Sequence, residues 1–318
     1  MSTTFERVPS LEHRASDDVL VGTRLAGRRK PGQWLAAAVV LVVAAGVLAS
    51  VFTNPHFQWD VVRYFLFRPS IMRGLLTTVW LTAAVVVSGY VLGIVVAVMR
   101  ISRNPVLSGV SFVFVWFFRS VPPLVQLLLW YNLSSLYPSI PLGFTTIHTA
   151  HLFSGLMAAY IGLTIDVAAF SAEIVRGGLL SVDHGQTEAA KSLGLGRSRI
   201  FWRIVLPQAM PAIIPASGNM VIGMLKATSI ISVLAVHDLL YSVQLIYTQN
   251  YLIIPLLLVA TTWYVILTTL LSIGQFYIER HYARGRGTPA TGGEWGRIVW
   301  QGVSRGLRIR PRRAAAQA

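Results

Sequence analysis

The sequence predicts an all-α polytopic membrane protein with about six transmembrane helices, and three observations carry that expectation. Of 318 residues, 54% are hydrophobic and only 12% charged, against roughly 25% charged in ordinary soluble proteins. The mean hydropathy is +0.61. Six apolar stretches are long enough to cross a hydrocarbon core, which takes about 20 residues of helix. They are continuous rather than alternating, which excludes the period-2 strands of an outer-membrane barrel. The basic residues gather on one side of these stretches, as the positive-inside rule requires.

The first span, Trp34 to Thr53, follows a basic segment, residues 1–33, that carries Arg7, Arg14, Arg24, Arg28, Arg29 and Lys30. The run is too long for a signal-peptide core and no small-residue cleavage pattern follows Phe52, so it is expected to be a retained anchor. Residues 54–73 are rich in aromatics (Phe57, Trp59, Tyr64, Phe65, Phe67) and carry Arg63, Arg68 and Arg73. This pattern predicts a short helix lying in the outer interface. Gly74 to Met99 contains no charge, Val106 to Tyr131 only Arg119, Leu152 to Ala172 only Asp166, Pro211 to Val236 only Lys226, and Tyr251 to Ile278 none. Residues 74–282 thus form a transmembrane domain. Of the 27 Lys and Arg, 22 fall on the side that holds both termini, the 100–105 turn and the connection 173–207. Both termini are expected in the cytoplasm. The net charge of +15 is therefore chiefly topological, and nucleic-acid binding is not needed to explain it. The tail, residues 283–318, carries eight arginines and is expected to be disordered and attracted to anionic lipids. Trp295, Ile298, Val299 and Val303 are spaced as one helical face, which also suits an in-plane amphipathic segment. With no cysteine, disulfides and thiolate sites are excluded.

The most patterned connection runs from Glu173 to Pro207. Gly185-Gln186-Thr187 precedes Glu188-Ala189-Ala190-Lys191-Ser192-Leu193, a helical turn with an acid at its positive end, and Gly194 is placed to stop it. A second short helix is expected from about Ser198 to Leu206, ended by Pro207. Two short helices joined at a glycine make a compact projection, and the small side chains of Ala189 and Ala190 would let another protein approach closely.

These residues resemble a known family. Glu188-Ala189-Ala190, Gly194, Ile204 and Leu206-Pro207 match the EAA loop of ABC importer membrane subunits. Phe118-Arg119-Ser120-Val121-Pro122 with Leu124-Val125-Gln126 is similar to the FRGTPLLVQ of the polar amino acid permeases, of the histidine, glutamine, glutamate, arginine and opine type. Glu173 with Arg176-Gly177-Gly178, Gly185-Gln186, and Leu225-Lys226-Ala227-Thr228-Ser229 also resemble that branch. Ser120-Val121, Pro123, Phe170 and Ala227 depart from its pattern. The resemblance, over about residues 70–282, implies a type I importer permease core of five helices plus the N-terminal anchor. It implies an inner-membrane subunit, itself no enzyme, that translocates a polar amino acid or close analogue. The implied partners are an ATPase subunit dimer, which holds the ATP and Mg, an extracytoplasmic solute-binding protein and a second permease subunit, identical or related. No cofactor is expected in this chain. A permease for another organic solute, and an ATP-independent transporter or channel, are the alternatives.

Gly185-x4-Ala190-Lys191-Ser192 approaches a Walker A, but alanine stands where the second glycine must let backbone wrap a phosphate. His148 and His151 have metal-pair spacing without a third ligand, so no metal is expected. Ionisable residues inside spans cost about 2.5–3.5 kcal/mol each and are functional candidates by default. Arg119 adjoins Pro122-Pro123, where missing N–H groups predict a bent or broken helix. Asp166 and Glu173 are near one helical face, and Asn219, Gly223 and Lys226 share another. Together with Pro122, Gln126, Thr228 and Ser229 these residues are the candidates for a polar path or its gate. The same charges equally suit ion pairs, Arg119 with Glu173 or Asp166 with Lys226.

Overall fold

The computed structural model describes residues 31–141, 146–148 and 154–283, with side chains omitted at residues 31–33, 140, 141, 146–148 and 283. The basic ends of the chain, the amphipathic pattern at Trp295 to Val303, and the side chains of His148 and His151 lie outside the described residues. Two units result, Met1–Phe57 and Gln58–Ala318. The first contains α1 (Pro31–Thr53), a helix apolar on every side and exposed nearly throughout, followed by a 3-10 turn at Pro55–Phe57. Such a helix has no amphipathic face to bury against protein and suits lipid.

The second unit is a helical bundle. It comprises α2 (Trp59–Leu66), α3 (Pro69–Ile101), α4 (Pro105–Ser120), α5 (Pro123–Leu136), α6 (Gly155–Leu180) and α7 (His184–Ser192). Then come α8 (Arg197–Leu234), α9 (Leu239–Asn250) and α10 (Ile253–Ala283). Two three-residue strands, β1 (Ser139–Pro141) and β2 (Thr146–His148), pair antiparallel with Ile140 opposite Ile147 between α5 and α6. Among the described residues five helices are long and apolar enough to span a membrane, or six when the bent pair α4–α5 counts as one. This is the all-α polytopic fold that the apolar runs predict.

The centre of the bundle is α3 against α6. Gly89 and Gly93 on α3 let α6 come so close that a Cβ at Gly93 would strike Ser171 Oγ and stand 2.9 Å from the Ala168 carbonyl oxygen. Small residues take this role in membranes because close backbone approach, not hydrophobicity, drives helix association there. Ser88 and Thr164 hydroxyls hydrogen-bond at 3.0 Å across the same seam. Around it lies a core of Leu81, Val85, Leu127, Leu163, Val167, Met224 and Ile231. A second core joins Val62, Ile71, Leu239, Val243, Leu256 and Val259.

Two boundaries and the packing of one short helix differ from the sequence reading. Residues 69–73 belong to the α3 helix rather than to a separate external segment, because Pro69 is placed at its first turn where a missing N–H costs nothing. The preceding α2 is built into the fold: Val62 is buried, and Trp263 Nε1 on α10 donates to the Leu66 carbonyl at 2.9 Å. Pro207 does not end a helix. The chain winds without interruption from Arg197 through a π-turn at Phe201–Val205 into the span. The wider turn just upstream accommodates the proline, whose ring would otherwise clash with the carbonyl four residues back.

Candidate functional site

The loop between α6 and α8 is a hairpin whose helix α7 is capped at both ends. Asp183 caps α7 by accepting from the Gly185 N–H at 2.7 Å, so the helix begins at His184, earlier than the acid at Glu188 suggests. Its other end is a Schellman motif. The Leu195 N–H donates to the Ala190 carbonyl at 3.2 Å and the Gly194 N–H to the Lys191 carbonyl at 2.9 Å, with Gly194 at φ 72°. The glycine thus stops the helix as its position predicts. The Gln186 side-chain oxygen accepts from Gln208 Nε2 at 3.5 Å, tying the hairpin to the span that carries Leu206 and Pro207.

The faces of the hairpin are distinct. Glu188 and Ala189 are exposed and Leu193 is 80% exposed, an apolar tip with an acid beside it. Ala190 is turned inward at 3% exposure, as is Ile200, so Ala190 serves packing within the hairpin rather than the outer surface. Arg197, Arg199, Trp202 and Arg203 line an open basic groove of about 600 Å³. Lys191 and Ser192 sit at the C-terminal end of α7, the negative end of its dipole, so the run that approaches a Walker A makes no phosphate cradle.

The span between 105 and 136 is broken. Its halves α4 and α5 meet at 104° around Val121-Pro122-Pro123. Pro122 cannot donate to Phe118, and the Gln126 side chain takes that place: Nε2 donates to the carbonyls of Phe118 at 2.8 Å and Val121 at 2.9 Å. Gln126 is buried at 4% exposure. It is a structural tie across the break, with only its side-chain oxygen left without a partner among the described residues.

Beside the break is a cleft of about 400 Å³ lined by Arg100, Phe112, Trp116, Arg119, Phe170 and Glu173, among others. Neither of the alternative ion pairs, Arg119 with Glu173 or Asp166 with Lys226, is formed among the described residues. Glu173 is held by Arg176 one turn along α6, with contacts of 2.7 and 3.1 Å, and by Arg100 of α3 at 3.7 Å. Arg119 instead lies over the Phe170 ring at 5.0 Å. Asp166 is buried, makes no salt bridge among the described residues, and leaves Oδ1 without a hydrogen bond. Local geometry explains this: an i,i+3 partner is always within reach of Glu173, whereas Arg119 finds an aromatic face first.

Lys226 opens onto a different groove, of about 320 Å³, with Ser229 and with Thr261, Tyr264, Val265 and Thr268 of α10. Thr228 does not reach it, being buried and bonded to the Leu225 carbonyl at 2.7 Å. Asn219 is held apart as well, accepting from Gln275 Nε2 at 3.4 Å. The residues of α10 were missed because a charge-free span draws no notice. Their signal was the polar spacing 261, 264, 268, which marks one helical face. Among the described residues no cluster of three or more His, Cys, Asp or Glu is placed to hold a metal.

The chain is similar to known proteins. Residues 89–284 match the model of the family described as binding-protein-dependent transport system inner membrane component. An arginine transport system permease protein of Corynebacterium glutamicum is 43% identical over 260 residues, 81% of this chain and 82% of its own length. A probable amino-acid permease protein of Bacillus subtilis is 35% identical, covering 67% of this chain and 91% of itself. Among solved structures, an amino acid ABC transporter crystallised with histidines superposes with a TM-score of 0.60 at 32% identity, over 70% of this chain and 97% of that one. A methionine ABC transporter in an inward-facing conformation, 23% identical with a TM-score of 0.53, shares the fold. With the family model covering more than half of its length, this chain belongs to the inner membrane components of binding-protein-dependent transport systems, the permease subunits of ABC importers.

Proposed function

We propose that the chain is the permease through which an ATP-driven importer moves an amino acid across the inner membrane, with α7 and its glycine cap as the coupling element. The capped hairpin carries this reading: its acid and apolar tip are exposed, while its base is tied by Gln186 and Gln208 to a single helix that continues into the membrane. A push on the tip is passed on as rigid-body motion because the turn at Gly194 is held by its two capping hydrogen bonds and α7 is tied to the span through Gln186 and Gln208. The partner is an ATPase dimer that binds ATP and Mg. An external binding protein delivers the solute, and a second permease subunit, the same or related, supplies the other hairpin. The loop and both termini face the cytoplasm. The relatives named for arginine, glutamine, cystine, nopaline and octopine transport support an amino acid or close analogue as cargo.

The test is Gly194→Asp. A Cβ there meets nothing within 4 Å, so the direct cost is the left-handed backbone alone, about 1–2 kcal/mol. The variant is expected to insert normally while binding-protein-stimulated ATP hydrolysis and arginine uptake by proteoliposomes are lost. Normal uptake would overturn the lever assignment.

A further inference from the structure

The groove at the start of α8 gathers three guanidinium groups with no acid to oppose them. Arg197, Arg199 and Arg203 line it together with Gly196, Ser198 and Trp202, over about 600 Å³. All three arginines are exposed, and none forms a salt bridge among the described residues. The nearby acid Asp183 is engaged on the Gly185 N–H. Arg199 and Arg203 stand four apart on one helix, a like-charge spacing that costs stability unless an anion offsets it. The groove is thus built for a negative group from outside the chain.

Its apolar wall indicates which kind. Trp202 is 63% exposed, and its ring meets that of Phe201, also exposed, edge-on at 5.3 Å. An indole open beside arginines is the pattern of the membrane interface, where an amphipathic ring sits at headgroup level. Position along the helix agrees. The stretch Leu206–Ala227 has 22 residues and rises about 33 Å, enough for a hydrocarbon core of about 30 Å. Trp202 and Arg203 lie in the turn just before it, which sets them at the headgroups rather than among the acyl chains. An acidic protein surface would satisfy the arginines but leave the two rings without a reason to be there.

We propose that this groove binds the phosphate of an anionic phospholipid of the cytoplasmic leaflet, with Arg197, Arg199 and Arg203 on the phosphate oxygens and Trp202 against the glycerol and upper acyl chain. A headgroup held here fixes the height of the hairpin above the membrane, and with it the reach of Glu188 and Leu193. The assignment goes beyond the coupling role of α7 and rests on the hairpin facing the cytoplasm.

The experiment uses the purified permease–ATPase complex in detergent and counts bound lipid by native mass spectrometry while dioleoyl phosphatidylglycerol or dioleoyl phosphatidylcholine is titrated. Each basic residue near a membrane surface raises affinity for anionic lipid about fivefold. Wild type is therefore expected to prefer phosphatidylglycerol by at least about tenfold at this site. The triple variant Arg197→Gln, Arg199→Gln, Arg203→Gln is expected to lose that preference, and the triple lysine variant at the same positions, which keeps the charge, to retain most of it. Glycerophosphoglycerol, the headgroup without its chains, and inorganic phosphate are expected not to displace the lipid at equal concentration. The site is overturned if the glutamine and lysine variants behave alike, or if either chain-free anion displaces the lipid as well as phosphatidylglycerol does, which would make it a site for free phosphate. It is also overturned if the glutamine variant sheds its ATPase subunits while phosphatidylglycerol stays bound, which would assign the groove to an acidic surface of the ATPase. Orientation is read separately. The chain has no cysteine, so labelling of Ser192→Cys by a membrane-impermeant maleimide from outside intact cells would overturn the cytoplasmic reading and leave the lipid measurement standing.

Discussion

The side-chain amide of Gln126 donates to the carbonyl of Phe118 at 2.8 Å, replacing the N–H that Pro122 lacks. The bond holds a right-angled break inside a membrane-spanning segment, where water is not available to satisfy the freed backbone. Replacing Gln126 by Leu leaves the carbonyls of Phe118 and Val121 without this donor. The expected cost is about 1–3 kcal/mol. It is to be read as a lowered thermal unfolding midpoint of the purified complex, together with reduced uptake because α4 and α5 lose their fixed angle. A midpoint equal to wild type would show that the break is held by packing alone.

Glu173 is the acid shared by Arg176 and Arg100, with Arg119 in the same cleft. Glu173→Gln leaves three guanidinium groups around a neutral amide. A loss of roughly 1–3 kcal/mol in stability is expected from the charge-assisted bonds removed. Because Arg119 is stacked on Phe170 and not bonded to Glu173, exchanging the two charges is expected to do no better than Glu173→Gln in uptake assays. Restored uptake in the exchanged variant would instead establish a direct Arg119–Glu173 pair.

Asp238 caps α9 by accepting from the Tyr241 N–H at 2.8 Å, between two spans and fully buried. Burial outweighs the amide bonds and pushes its carboxyl up to about 6. A carboxyl raised in the folded state binds its proton more tightly than in the unfolded chain, so its contribution to stability falls as pH rises from about 4 to about 6 and is constant above. Asp238→Asn keeps an N-cap oxygen and removes the charge. The variant is expected to flatten that part of the midpoint-versus-pH curve. An unaltered slope would mean that the carboxyl is already ionised at pH 5.

The sequence by itself determined the features that depend on local physics. The length of an apolar run decides whether it spans, a glycine after a helical turn decides where α7 stops, and two prolines without N–H groups decide where the span at 105–136 breaks. The motif around Glu188 and Gly194 also carries the family resemblance in the sequence alone. Only the tertiary structure decided which side chains meet. Helical spacing puts Ala189 and Ala190 on adjacent positions but does not say that Ala190 turns inward. Charge alone would pair Lys226 with Asp166, yet the lysine opens toward the hydroxyls of α10, 35 residues or more along the chain. Gln126 reads from sequence as a path candidate, and only the fold shows that its amide nitrogen ties the backbone across the break. Pairings across helices depend on rotation and depth, which the close α3–α6 contact at Gly89 and Gly93 fixes for its neighbours. No short-range pattern encodes those two quantities.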